Sequence, residues 1–108
     1  MQYIQIQITF PTAELAQGMA AKLVQEKLVA CAQVCGTIQS VYTWKGVCET
    51  STETLLLAKT ALPLFERIES VVRTEHPYEC PQIVALPIVA ANRDYLDWLA
   101  EQLQETEE

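Results

Sequence analysis

The chain predicts an α+β sandwich in the order β-α-β-β-α-β, with a third helix at its end. Three observations carry this: a period-two apolar alternation at the start, two long β-rich segments around Lys45-Gly46, and three stretches of apolar residues at helical spacing. With 108 residues, 50% of them hydrophobic and only three glycines, the chain fits a single domain over 1–108 with a core of its own.

In Tyr3-Ile4-Gln5-Ile6-Gln7-Ile8-Thr9-Phe10 the alternation places Ile4, Ile6 and Ile8 on one buried face of a first strand. Pro11-Thr12 ends it, and Thr12 is placed to cap a helix over Ala13 to Leu28, with Leu15, Met19, Leu23 and Leu28 at helical spacing and Ala16, Ala20 and Val24 beside them. Thr37 to Trp44 and Thr52 to Ala58 are rich in β-branched and aromatic residues, with a turn candidate at Lys45-Gly46, so 29–60 reads as one long hairpin. Pro63 suits a first helical turn, and Leu64, Phe65, Ile68, Val71 and Val72 form the stripe of a second helix from Leu62 to Glu75. Gln82 to Val89 is almost uniformly apolar and predicts a buried strand, which Pro87 assigns to a sheet edge because it cannot donate to a ladder. Asn92 then caps a third helix carrying Tyr95, Leu96, Leu99 and Leu103, and the acidic tail 105–108 is expected to fray. This order is the split βαβ arrangement of a ferredoxin-like sandwich.

The hairpin bears on assembly. Two strands of about 15 residues at roughly 3.3 Å each reach about 50 Å, against a radius of gyration near 13 Å for a compact chain of this length. The hairpin should therefore overhang its core and show Val41, Tyr42, Trp44 and Leu55 to Leu57 to water, a surface usually hidden by pairing with another chain. A homo-oligomer joined through the hairpins follows.

Seven Lys and Arg against fourteen Asp and Glu leave a net charge of -7, which repels a phosphate backbone and argues against nucleic acid as a partner. The first residues lack the basic and apolar regions of a signal peptide, and no apolar run approaches the roughly 18 to 20 residues of a membrane span. A cytoplasmic chain without a membrane partner is expected. Cys31, Cys35, Cys48 and Cys80 show no CxxC spacing and read as reduced thiols. Between the second helical pattern and the last strand pattern, His76-Pro77-Tyr78-Glu79-Cys80-Pro81 holds the sole histidine, a cysteine and two prolines that stiffen the backbone, so this connector is where site chemistry is sought first.

Glu26-Lys27-Leu28-Val29-Ala30-Cys31-Ala32, Tyr42-Thr43-Trp44-Lys45-Gly46, Leu55-Leu56-Leu57-Ala58-Lys59-Thr60, the His76 to Pro81 connector, and Leu86-Pro87-Ile88 with Asp94-Tyr95-Leu96-Asp97-Trp98 together resemble the CutA family of divalent-cation-tolerance proteins along the whole chain. The resemblance implies a ferredoxin-like homotrimer, similar in architecture to the PII signalling proteins, and a link to copper and other divalent cations, with no reaction assigned. The copper ligands proposed for bacterial members are a cysteine at the end of the first strand and a histidine pair before the Pro-Tyr motif. Here those places hold Ile8 and Glu75-His76, so His76 alone carries over.

Two readings of the sites stay open. His76 serves as a ligand for copper or another divalent cation, with Glu75 or Glu79 as carboxylate neighbour, or it caps the second helix. Cys31 and Cys35 share a strand face, suiting either a soft ion or core packing. Tyr42, Trp44, Lys59 and Tyr78 line an inter-subunit cleft for a small ligand, or anchor the interface. Catalysis by a cysteine would need His76 as its only imidazole base. The expected function is thus a non-enzymatic trimer of divalent-metal tolerance or response, with no obligatory cofactor, binding copper weakly near His76. The alternative is a trimeric small-ligand sensor or scaffold without a specific metal.

Overall fold

Strand β1 (Tyr3–Phe10) sits inside a four-stranded sheet because its alternation gives it one wholly apolar face. In a computed structural model, described over residues 1–106, it is followed by α1 (Ala13–Gln25), β2 (Cys31–Trp44), β3 (Val47–Ala61), a 3-10 turn (Leu62–Leu64), α2 (Phe65–Glu75), β4 (Ile83–Pro87) and α3 (Arg93–Gln102). The strand order is β2-β3-β1-β4 and every neighbouring pair is antiparallel. Ile4, Ile6 and Ile8 are fully buried against Leu56 and Ala58 of β3, Ala16, Met19 and Leu23 of α1, and Leu64, Ile68 and Val72 around α2. Both helices therefore cover one face of the sheet, and the alternating strand pattern meets the 3.6-residue pattern in a single core. Expected core face and expected element order both hold.

Helix α1 starts as expected, with the Thr12 hydroxyl accepting from the Leu15 amide at 3.2 Å. It ends earlier than the apolar spacing suggested, at Gln25 rather than Leu28. Lys27 takes a φ of 58°, and the amides of Leu28 and Lys27 turn back to the carbonyls of Leu23 and Val24. That is a Schellman motif, and it buries Leu28 on Leu23 without continuing the helix. Thr60, fully buried in β3, donates its hydroxyl to the Leu28 carbonyl at 2.6 Å and fixes this corner on the sheet. The second helix begins with the 3-10 turn at Pro63 before becoming α-helical at Phe65.

The hairpin closes through a two-residue turn, Lys45-Gly46, with φ of 50° and 82°, the left-handed pair that a type I′ turn requires. A bulge at Gly36 shifts the β2–β3 register between Cys35 and Thr37. Strand β1 reaches only Thr54 of β3, so residues 37–53 form a ribbon paired with itself alone. The described residues extend 44 × 27 × 24 Å, which is the overhang expected from strand length. Val41 is 68% exposed, and Tyr42, Trp44 and Val47 are also open to water. Leu56 departs from expectation: it faces the core at 0% exposure, while Leu55 and Leu57 lie half-buried on the opposite face.

Strand β4 is shorter and wetter than predicted. It covers Ile83–Pro87 at the sheet edge, as Pro87 indicated, but Val84 and Leu86 are exposed because no element of the same chain covers the second face there. Asn92 occupies the N-cap position of α3 without bonding the backbone; its side-chain amide donates to Asp94 Oδ1, which accepts the Tyr95 amide. After α3, the Gln104 amide and side chain both bond the end of α1, at Lys27 and Glu26. Of the tail expected to fray, Glu107 and Glu108 lie outside the described residues.

Two left-handed residues give opposed expectations. Lys27→Gly relieves the strain of a side chain at φ 58° and should raise stability by about 0.5–1 kcal/mol, whereas Gly46→Ala introduces the same strain and should lower it by about 1 kcal/mol. Urea unfolding midpoints of the two variants moving in the same direction would contradict the conformations described.

Candidate functional site

The connector after α2 is pinned to the core by its histidine. The His76 backbone amide closes α2 on the Val72 carbonyl, and its ring turns under β1, 9% exposed. Nδ1 accepts the Tyr78 amide at 3.1 Å, which leaves the ring proton on Nε2, donated to the Thr9 carbonyl at 2.7 Å. The ring stacks on Phe10 at 4.6 Å and meets Tyr78 at 4.7 Å. Both nitrogens are thus engaged within the chain. Glu75 pairs with Lys22 across the α1–α2 layer, an exchange that holds the Lys22 ammonium above its ordinary pKa. Among the described residues no three His, Cys, Asp or Glu side chains are grouped to hold an ion. Glu75 and His76, adjacent in the chain, are thus engaged with different partners, Lys22 on the one hand and Thr9 and Tyr78 on the other.

Holding Tyr78 this way aims its phenol at the hairpin. Tyr78 donates to Glu53 Oε2 at 2.8 Å. Burial, and then the Glu53 carboxylate, hold the Tyr78 hydroxyl above its ordinary pKa, so it remains a donor. Between the connector and the outer ribbon lies a groove of about 680 Å³, walled by Tyr42, Trp44, Tyr78, Glu49, Glu53 and Glu79, with Cys80 at its rim. The register explains the company: Tyr42 pairs with Glu49 and Ser40 with Ser51, so their side chains share one face, and the Tyr42 hydroxyl reaches Ser51 Oγ at 3.3 Å. Tyr42, Trp44 and Tyr78, expected at a cleft between subunits, come together in a groove within the one chain. Lys59 is not; it donates to Gln33 Oε1 at 3.0 Å and lines a second hollow of about 560 Å³ with Gln5 and Tyr95.

Glu49 and Glu53 were not singled out in the sequence, although the two-residue turn at Lys45-Gly46 already implies that Tyr42 faces Glu49. Cys31 and Cys35 do share a strand face, the one opposite α1 and α2, and all four cysteines are free. Cys31 Sγ lies 3.3 Å from the Tyr95 hydroxyl. Burial, and then Cys31, push Tyr95 from its ordinary pKa of 10.0 up to about 12.

The whole pattern matches one known family: residues 4–102 match the CutA1 divalent ion tolerance protein family. The chain belongs to the CutA1 family. It is 45% identical over 94 residues to the divalent-cation tolerance protein CutA of Thermus thermophilus, spanning 87% of this chain and 91% of that protein. The chloroplastic Protein CutA 1 of rice is 36% identical over 103 residues, 95% of this chain but 58% of the longer plant protein. Among solved structures, CutA1 from Oryza sativa superposes with a TM-score of 0.94 at 35% identity, covering 98% of this chain and 97% of that one. The Thermus thermophilus Cut A1 structure superposes at 0.92 with 41% identity, covering 94% and 99%. The α+β fold with its four-stranded antiparallel sheet and three helices is that of the CutA1 structures. The family is named for ion tolerance and not for a reaction. No helix among the described residues is long and apolar enough to cross a membrane.

Part of the alkaline pH dependence of stability follows from Tyr95. Its folded pKa lies above its unfolded one, so the folded state retains a proton that the unfolded state loses; the contribution is complete below pH 10.0 and disappears as pH rises towards about 12. Unfolding midpoints should therefore fall more steeply over that window in the parent than in Tyr95→Phe, and superimposable pH profiles would refute the assignment.

Proposed function

We propose that this chain acts as a non-enzymatic homotrimer with a ferredoxin-like subunit in the response to divalent metal ions, associating with copper or related cations weakly near the connector and needing no obligatory cofactor. The observation that carries it is the double engagement of His76. With both nitrogens committed, the histidine positions the connector, and cations are drawn by the acidic side chains beside it, chiefly Glu79 and Glu49. Nothing in that arrangement pairs a nucleophile with a base: the sole imidazole has no cysteine among its hydrogen-bond partners. The family name and the divalent-cation tolerance proteins among the relatives support the metal connection. Free thiols throughout support a reducing, cytoplasmic setting.

Trimerisation is supported by what one chain leaves uncovered. The ribbon over residues 37–53 has no third strand, β2 and β4 end the sheet with unpaired edges, and Val84, Leu86, Val41 and Val47 face water. Edges and apolar area of this kind are satisfied when neighbouring copies pair through them. A second reading, a small-ligand sensor, is favoured by one specific observation: the groove has the volume of an ordinary ligand site and aromatic walls.

Two measurements test the proposal. Sedimentation velocity should give three times the chain mass, with Leu86→Glu reducing it; a parent that sediments as a single chain would remove the assembly. Calorimetric titration of reduced protein with Cu²⁺ and Zn²⁺ should give weak, salt-sensitive heat that survives His76→Ala and diminishes in Glu49→Gln/Glu79→Gln. Stoichiometric, saturable binding abolished by His76→Ala would make the imidazole a ligand instead.

A further inference from the structure

We propose that the groove between the outer ribbon and the connector binds a small organic ammonium ion, a protonated alkylamine; this rests on the small-ligand reading above and names the ligand's chemistry. Every ionisable side chain lining the groove apart from the tyrosines and Cys80 is a carboxylate, and no lysine, arginine or histidine is among them. An anion would find no cationic partner there and three carboxylates against it. Tyr42, Trp44 and Tyr78 supply aromatic faces, which attract a cation through the ring quadrupole and accept an alkyl chain by apolar burial. Trp44 already shows the first property, since the Lys45 ammonium lies 5.8 Å from its ring centroid at the hairpin tip.

Glu53 fixes where the charged end goes. The residue is only 7% exposed, one carboxylate oxygen accepts the Tyr78 hydroxyl at 2.8 Å, and the other has no hydrogen-bond partner among the described residues. No buried side-chain oxygen lacks a partner among the described residues, so this second oxygen is open to solvent, where a cationic donor in the groove can reach it. A bare divalent ion fits less well, because it needs several close oxygen, nitrogen or sulfur ligands, and no such group of three exists among the described residues. An ammonium group needs only one such acceptor together with aromatic walls. The volume of about 680 Å³ accommodates a molecule of several carbon atoms.

The test uses the full chain as it assembles, with Trp98→Phe as background so that fluorescence reports Trp44 alone. n-Butylammonium chloride is titrated at fixed ionic strength beside n-butanol, its uncharged counterpart. The ammonium compound should quench saturably, at least about tenfold more tightly than the alcohol, and Glu53→Gln, which keeps an acceptor for Tyr78, should weaken it by about tenfold while leaving the melting curve in place. Equal binding of amine and alcohol would overturn the ammonium assignment and leave the small-ligand reading standing. Absence of saturation by both would remove both readings. An unchanged affinity in Glu53→Gln would put the cation elsewhere and defeat the proposal.

Discussion

Strand β1 stops at Phe10, opposite Thr54, and that limit divides β3 into two halves with different surroundings. Inside it, Leu56, Ala58 and Thr60 are flanked on both sides and sealed by two helices. Beyond it, the same strand has one neighbour and, from Val47 to Thr52, is largely exposed. Core burial holds the inner half; cross-strand pairs with β2 hold the outer half. The groove exists because this boundary falls where the connector returns from α2, so Thr9, Glu53 and Tyr78 meet at the edge of the core.

His76 converts that meeting into a rigid one. The residue ties three elements together: its backbone amide closes α2, and its ring bonds the Thr9 carbonyl of β1 and orients Tyr78 through Nδ1. The prolines on either side of Tyr78-Glu79-Cys80 limit the backbone between these contacts. A histidine in such a place is a bracket, and the carboxylates around it carry the charge that faces solvent.

How much of this was legible follows from the range of each interaction. The alternation of β1, the cap at Thr12, the Pro63 turn and the Lys45-Gly46 hairpin are encoded within a few residues, and each appears where the local pattern put it. The end of α1 was misjudged because Leu28 continues the apolar spacing, while the left-handed Lys27 that breaks the helix leaves no trace in periodicity. β4 looked buried since Val84 and Leu86 are apolar; apolarity does not say whether the covering surface belongs to the same chain. The partners of His76 and Tyr78, at Thr9 and Glu53, lie 67 and 25 residues away, so only the folded sheet brings them together.

The two-residue turn at Lys45-Gly46 leaves no slack at the tip of the ribbon. Adding one residue to either strand would rotate every side chain beyond the insertion to the other face, exchanging Tyr42 and Glu49 for their neighbours. The ribbon can therefore change length without losing its surface chemistry only in increments of two residues per strand, four in all. Length in this part of the molecule is quantised, and variation among relatives should come in those steps.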